Sequence, residues 1–163
     1  YRWVFIIKVL SVRYDFIFKI VSLFLAVCCP IIMITMFPLE SSLSWYWTTP
    51  AVPLFILTTA PTSYFFFSTI GWKLQGLCLM LVTAFPVNHY GNIHNLFAVL
   101  FFITSGYTIL TSNKVKWIKP IYIMSGIVTV FNLLLGEVYL ILCICLYHAI
   151  VTYRQYKTVN KSR

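Results

Sequence analysis

Charge is what this chain has least of. Across 163 residues, 9% are Asp, Glu, Lys or Arg, while 61% are hydrophobic. A soluble domain of this size covers its core with roughly 25% charged residues. That much polar surface is missing here, so the bilayer must act as solvent for much of the chain. Cysteine is sparse and poorly placed for chemistry. Cys28, Cys29, Cys78, Cys143 and Cys145 all lie inside apolar runs, and no Cys-x-x-Cys occurs. This argues against a disulfide framework and against thiolate metal ligation, and leaves small packing residues. There is no HExxH, no Gly-x-Ser-x-Gly and no phosphate loop, so the familiar hydrolase and nucleotide signatures are absent. The net charge of +9 comes without a basic domain large enough to track phosphates, and nucleic acid is not expected as a partner.

What is present is an order. Nearly every hydrophobic block is bounded by Lys or Arg, and all 12 basic residues can be placed on one side of a membrane. By the positive-inside rule that side is the cytoplasm. The abundant aromatics, 5 Trp, 11 Tyr and 14 Phe, suit two interfacial belts.

Residues 1–19 carry Arg2, Lys8, Arg13 and Lys19. On a helical wheel these bases fall within an arc of roughly 140°. Trp3, Ile6, Ile7, Leu10, Tyr14, Ile17 and Phe18 face the other way. The pattern predicts an amphipathic helix on the cytoplasmic interface, held by anionic lipid, or one packed on a partner or on the protein's own bundle. Its charges are too dispersed for a signal peptide.

Counting crossings gives the rest. A first span ends at Phe37 and contains Pro30. A second covers 50–70, with Pro50 and Pro53 in its first turn and Pro61 inside. The run 74–112 is on the order of 58 Å as a helix, about two membrane cores. Lys73 precedes it, and Lys114, Lys116 and Lys119 follow, so it must cross twice, turning at the polar break 88–92. The same parity argument splits 120–153 near Gly136 and Glu137. The expectation is an all-α polytopic bundle of six transmembrane helices, residues 20–153. The interfacial segment 1–19 precedes it and a basic cytoplasmic tail, 154–163, follows. Both termini are cytoplasmic, and outer turns fall at 38–49, 88–92 and near 136.

The outer face then gathers Glu40, Asn88, His89, Asn92, His94, Asn95, Asn132 and Glu137. Two of the chain's three acids fall here. Ionisable groups at membrane depth are costly and are often functional when they face the bundle interior. His94 with Glu137 could act as general acid and base or as a partial metal site, and Asn88, His89, Asn95, Asn132 and Glu40 complete a polar cup for a lipid head group. A plainer explanation stands beside it: Glu40 and His89 are hydrated, His94 and Asn95 cap the fourth helix, and Glu137 favours the N-terminus of the sixth. His94 and His148 are predicted on opposite sides, which argues against a bis-His haem. No metal or cofactor is expected. Thr104, Ser105 and Gly106, with Ser125 and Gly126, read as small patches for close helix packing.

The stretch Ala84, Phe85, Pro86, Val87 and Asn88, followed by Gly91 and then Ile93, His94, Asn95, Leu96, Phe97 and Ala98, resembles the DRAM/Frag/Sfk-type six-helix membrane proteins and related bacterial membrane proteins. Asn88 stands where the bacterial relatives often carry an acid. The resemblance implies a multi-pass protein of lipid-handling or regulatory character, without a common reaction. The function expected is therefore that of a small integral membrane component working through lipid or partner-protein contacts, including other membrane-protein subunits. Two alternatives are kept: a membrane enzyme acting on lipid head groups through His94 and Glu137, and an oligomeric pore.

Overall fold

In a computed structural model, which describes the backbone of residues 2–161 and the side chains of residues 14–158, the apolar runs fold as helices. These are α1 (Arg2–Met36), a 3-10 helix (Leu43–Thr48), α2 (Val52–Ser68), α3 (Lys73–Ala84), α4 (Val87–Thr111), α5 (Ile118–Phe131) and α6 (Leu133–Lys161). Among the described residues there is no strand. Three segments, Tyr14–Met36, Val87–Thr111 and Leu133–Thr158, are long and apolar enough to cross a membrane, and α2, α3 and α5 are shorter apolar helices. The chain is thus an all-helical bundle of integral membrane character.

Local chemistry explains the boundaries. Gly71, at φ +90, lets the chain reverse between α2 and α3, in a backbone region that costs other residues dearly. Phe85 is extended (φ −110, ψ 93) because it precedes Pro86, and this ends α3 and starts α4. Asn132 is extended (φ −148, ψ 103), and its Oδ1 accepts the Leu135 N–H at 3.0 Å, capping α6. Pro53 sits in the first turn of α2, where its missing N–H costs nothing; Pro50 lies just before the helix. Pro30 and Pro61 lie inside α1 and α2.

Two turns sit elsewhere than the sequence suggests. The third and fourth helices part at Phe85 and Pro86; residues 88–92 are already in the first turns of α4, where Tyr90 makes a kink (φ −131, ψ 37). His94 and Asn95 therefore follow the kink, inside the helix, and do not cap it. The last turn is at Asn132, not near Gly136. Asn132 supplies the capping oxygen, while Gly136 serves packing: a Cβ there would stand 2.2 Å from Thr129 Oγ1 on α5. As a result α5 is about 21 Å long and α6 about 44 Å, rather than two equal spans. At the N-terminus, α1 runs without interruption from Arg2. The side chains of residues 1–13, which carry most of the amphipathic pattern, lie outside the described residues.

Packing gives the bundle two distinct ends. At one, Phe16 of α1 stacks on Tyr156 of α6 at 4.2 Å, Trp72 meets His148 at 4.0 Å, and Arg154 donates to the Lys114 carbonyl. The early part of α1, the α2–α3 and α4–α5 connections and the late part of α6 therefore share this end, with Lys73, Lys114, Lys116, Lys119, Arg154 and Lys157. A large core cluster around Phe65, Phe66, Trp72, Ile109 and Tyr147 fills it. At the other, a smaller cluster joins Met33, Leu43, Tyr46, Ala51, Phe55, Val82 and Leu134. The 3-10 helix, the Phe85–Pro86 break and Asn132 meet there.

Candidate functional site

The 3-10 helix organises the second end. Its segment is polar and aromatic, yet it is not a hydrated loop: Leu43, Ser44 and Tyr46 are buried. Tyr46 is fully enclosed and its hydroxyl donates to the Pro38 carbonyl at 3.2 Å. Burial pushes that phenol's pKa above its ordinary value. Trp45 is exposed and lines the cleft described below.

Two buried polar side chains hold this segment to the long helices. The Leu43 N–H opens the 3-10 helix and has no partner within it. It donates to Glu137 Oε2 of α6 at 2.7 Å. One residue on, Ser44 Oγ lies 2.8 Å from Nε2 of His94 on α4. The other ring nitrogen of His94, Nδ1, is 2.7 Å from the Phe85 carbonyl oxygen, at the C-terminal end of α3. A carbonyl only accepts, so in the neutral imidazole Nδ1 carries the proton. Nε2 is then the acceptor, and the Ser44 hydroxyl donates to it. His94 is wholly buried and Glu137 8% exposed. In a medium without water such groups need partners, and here each has one.

Beside this junction is a cleft of about 520 Å³. Ser42, Ser44, Asn92, Asn95, Thr129 and Glu137 supply its polar lining; Val87, Ala98, Val99, Phe102 and Leu133 supply the apolar one. Ser44, Glu137, Ala98 and Phe102 also line a smaller internal cavity of about 50 Å³ reaching Pro30, Phe55, Leu79, Phe101 and Ile141. A third cavity, of about 40 Å³, shares Thr58, Thr59, Leu79, Phe101 and Ile141 with it and continues to Ala26, Phe66 and Cys145. Ser44 and Glu137, with Ala98 and Phe102, thus line both the cleft and the smaller apolar cavity.

The sequence candidates separate accordingly. Glu137 and Asn95 line the cleft, and His94 lies directly behind it through Ser44. Asn88 and His89 are exposed on the first turn of α4 and do not line it; nor does Glu40, which is half-buried. Asn132 is exposed and spends its carbonyl oxygen on capping α6. Sequence reasoning missed Ser44. It sits among Ser41 and Ser42 in the segment between the first two long apolar runs, and its spacing to His94 in the chain carries no motif. Among the described residues no group of three or more His, Cys, Asp or Glu side chains is gathered to hold a metal ion.

His148 is the other buried histidine. It lies at the basic end, against Phe66 and Trp72, and neither ring nitrogen has a hydrogen-bond partner among the described residues.

Comparison with known proteins finds no matching family model, no matching curated protein and no matching solved structure.

Proposed function

We propose that this chain is a multi-pass integral membrane protein that receives the head-group end of a membrane lipid in the cleft between the 3-10 helix, α4 and α6. It works as a regulatory or accessory component through that contact. The observation that carries the reading is the mixed lining: a mostly apolar wall that includes Val87, Val99, Phe102 and Leu133 also carries Ser42, Ser44, Asn92, Asn95 and Glu137. An amphipathic molecule matches such a wall, whereas a polar solute leaves its larger, apolar part uncovered.

The same reading takes all six helices as spans, with the basic end in the cytoplasm and the cleft on the exoplasmic side. The clustering of Lys and Arg at one end supports this, by the positive-inside rule. α3 and α5 come to about 18 and 21 Å, shorter than a core of about 30 Å, and call for local thinning of the bilayer. Residues 1–19 meet the cytoplasmic surface. The likeness of the 84–98 stretch to DRAM/Frag/Sfk-type proteins points the same way.

The test is thermal. Full-length protein in detergent is titrated with phosphatidylcholine while its melting temperature is followed. A lipid that binds only the folded state raises stability by about 2.7 kcal/mol at one hundred times Kd. The expected result is a saturable rise that Gly91→Phe removes. Gly91 lines the cleft, and a Cβ there meets nothing within 4 Å, so the new ring fills the cleft without a clash at its root. A rise that never saturates, or that Gly91→Phe retains, contradicts the reading.

A further inference from the structure

We propose that Ser44 is an acyl-accepting nucleophile, activated by His94, and that the molecule it attacks is a carboxylic ester of a membrane lipid held in the cleft. The inference rests on the lipid reading of the cleft and goes beyond it, from binding to chemistry.

Three observations carry it. The first is direction: with Nδ1 engaged by the Phe85 carbonyl at 2.7 Å, Nε2 is free to take a proton, and Ser44 Oγ lies 2.8 Å from it. This is the arrangement of an activated serine, nucleophile to base to orienting group, with a backbone carbonyl in the orienting place. The second is position. Of the two hydrogen-bonded partners, Ser44 reaches the cleft, while His94 is wholly enclosed and held behind it. The third is the shared lining. Ser44 borders both the cleft, where Asn92, Asn95 and Glu137 supply polar groups, and the small apolar cavity lined by Phe55, Leu79 and Phe101. A head group on one side and an acyl chain started into the other put the ester bond at Ser44.

The step balances without a cofactor. Ser44 Oγ adds to the ester carbonyl carbon as its proton passes to His94 Nε2. The bond from that carbon to the lipid's alcohol oxygen breaks, and the departing oxygen takes the proton from Nε2. The acyl group is now an ester of Ser44. Water then adds to the acyl carbon, giving a proton to Nε2, and Ser44 leaves with that proton as the free carboxylic acid is released. The Asn92 and Asn95 amides on the cleft wall are the donors closest in kind to what the tetrahedral oxyanion needs. Glu137 is a positioning residue: it fixes the Leu43 N–H, and so the residue after it.

The experiment uses the full-length protein in phosphatidylcholine nanodiscs. A fluorophosphonate probe is added, and its adducts are located by peptide mass spectrometry. The expected result is an adduct on Ser44 at a rate at least about a hundredfold above that of the exposed Ser41, lost in Ser44→Ala and reduced at least tenfold in His94→Gln. Each variant's melting temperature is recorded. Ser44→Cys serves where His94→Gln unfolds, and it is expected to alkylate with iodoacetamide faster than the other cysteines. Phosphatidylcholine titration runs alongside. Saturable binding with Ser44 labelled no faster than Ser41 overturns the nucleophile and leaves the lipid reading standing. Labelling of Ser44 without saturable lipid binding overturns the lipid reading and retains a nucleophile for a different ester.

Discussion

The Ser44 hydroxyl donates to Nε2 of His94 across 2.8 Å, joining segments fifty residues apart in the chain. Next to it, the Leu43 N–H donates to Glu137. Two adjacent residues of one short helix are thereby tied to α4 and α6, and His94 ties the end of α3 as well through Phe85. The junction is both a fastening and the back wall of a cleft, so each variant has a structural effect to be separated from a functional one.

Glu137 separates them well. Glu137→Leu strands the Leu43 N–H in a buried site and is expected to cost about 1–3 kcal/mol. Glu137→Gln keeps a carbonyl oxygen for that N–H and is expected to cost less than about 1 kcal/mol. Guanidinium or thermal unfolding in detergent compares the two. Equal losses contradict the hydrogen-bonding role.

His94→Phe keeps the ring's bulk but removes both nitrogens, leaving the Phe85 carbonyl and Ser44 hydroxyl without that partner. A loss of about 2–4 kcal/mol is expected, from two polar groups left unsatisfied. Ser44→Ala leaves only Nε2 without its donor and is expected to cost about half as much. The same unfolding assay applies, and a Ser44→Ala loss larger than that of His94→Phe runs against the geometry.

The glycines differ sharply. A Cβ on Gly76 of α3 would sit 2.2 Å from the Phe67 backbone nitrogen of α2, whereas Gly126 has open space. Gly76→Ala is expected to lower stability by at least about 1–3 kcal/mol through overpacking. Gly126→Ala is expected to be neutral or slightly stabilising, because alanine has the better helix propensity. Parallel melting curves decide it.

How much of this was legible in the chain depends on which forces act locally. Helix positions follow from apolar runs cut at Pro38 and Gly71, because those residues act on the backbone where they stand; the turn read at the polar residues 88–92 falls instead at Phe85 and Pro86, since Pro86 holds Phe85 extended while the polar residues are taken into the first turns of α4. The last turn was misplaced because Gly136 looks like a break, whereas its lack of a side chain serves contact with Thr129 of the neighbouring helix. Asn132, whose cap is local, was the better signal. Glu137, His94 and Asn95 stood out because ionisable or amide groups are rare in such a chain. Ser44 does not, since its partner is set by tertiary packing of a segment that its clustered Trp and Tyr mark only as a turn at the head-group level. The small patches also divided: Gly106 meets the Tyr122 ring, with a Cβ only 2.8 Å from Cε1, and Gly126 meets nothing.

His148 is expected to behave oppositely to His94. It is fully buried among aromatic rings with neither nitrogen bonded among the described residues. His148→Leu removes an unsatisfied polar group and is expected to leave stability unchanged or raise it by about 1 kcal/mol. A loss above about 2 kcal/mol points to a partner, such as a bound water, at that ring.

The orientation has its own test in intact cells. A membrane-impermeant maleimide is expected to label His89→Cys, on the exposed start of α4. It is expected to label Lys116→Cys only after permeabilisation. The reverse pattern inverts the topology.

The cleft itself is tested most directly by photocrosslinking. Full-length protein is reconstituted with a phosphatidylcholine carrying a diazirine close to its head group, irradiated, digested and sequenced by mass spectrometry. The account predicts adducts concentrated on the polar residues lining the cleft, foremost Asn92, Asn95 and Glu137, and strongly reduced by Gly91→Phe. Adducts spread evenly over the exposed apolar belt, with Gly91→Phe indistinguishable from the native protein, contradict a lipid site between the 3-10 helix, α4 and α6.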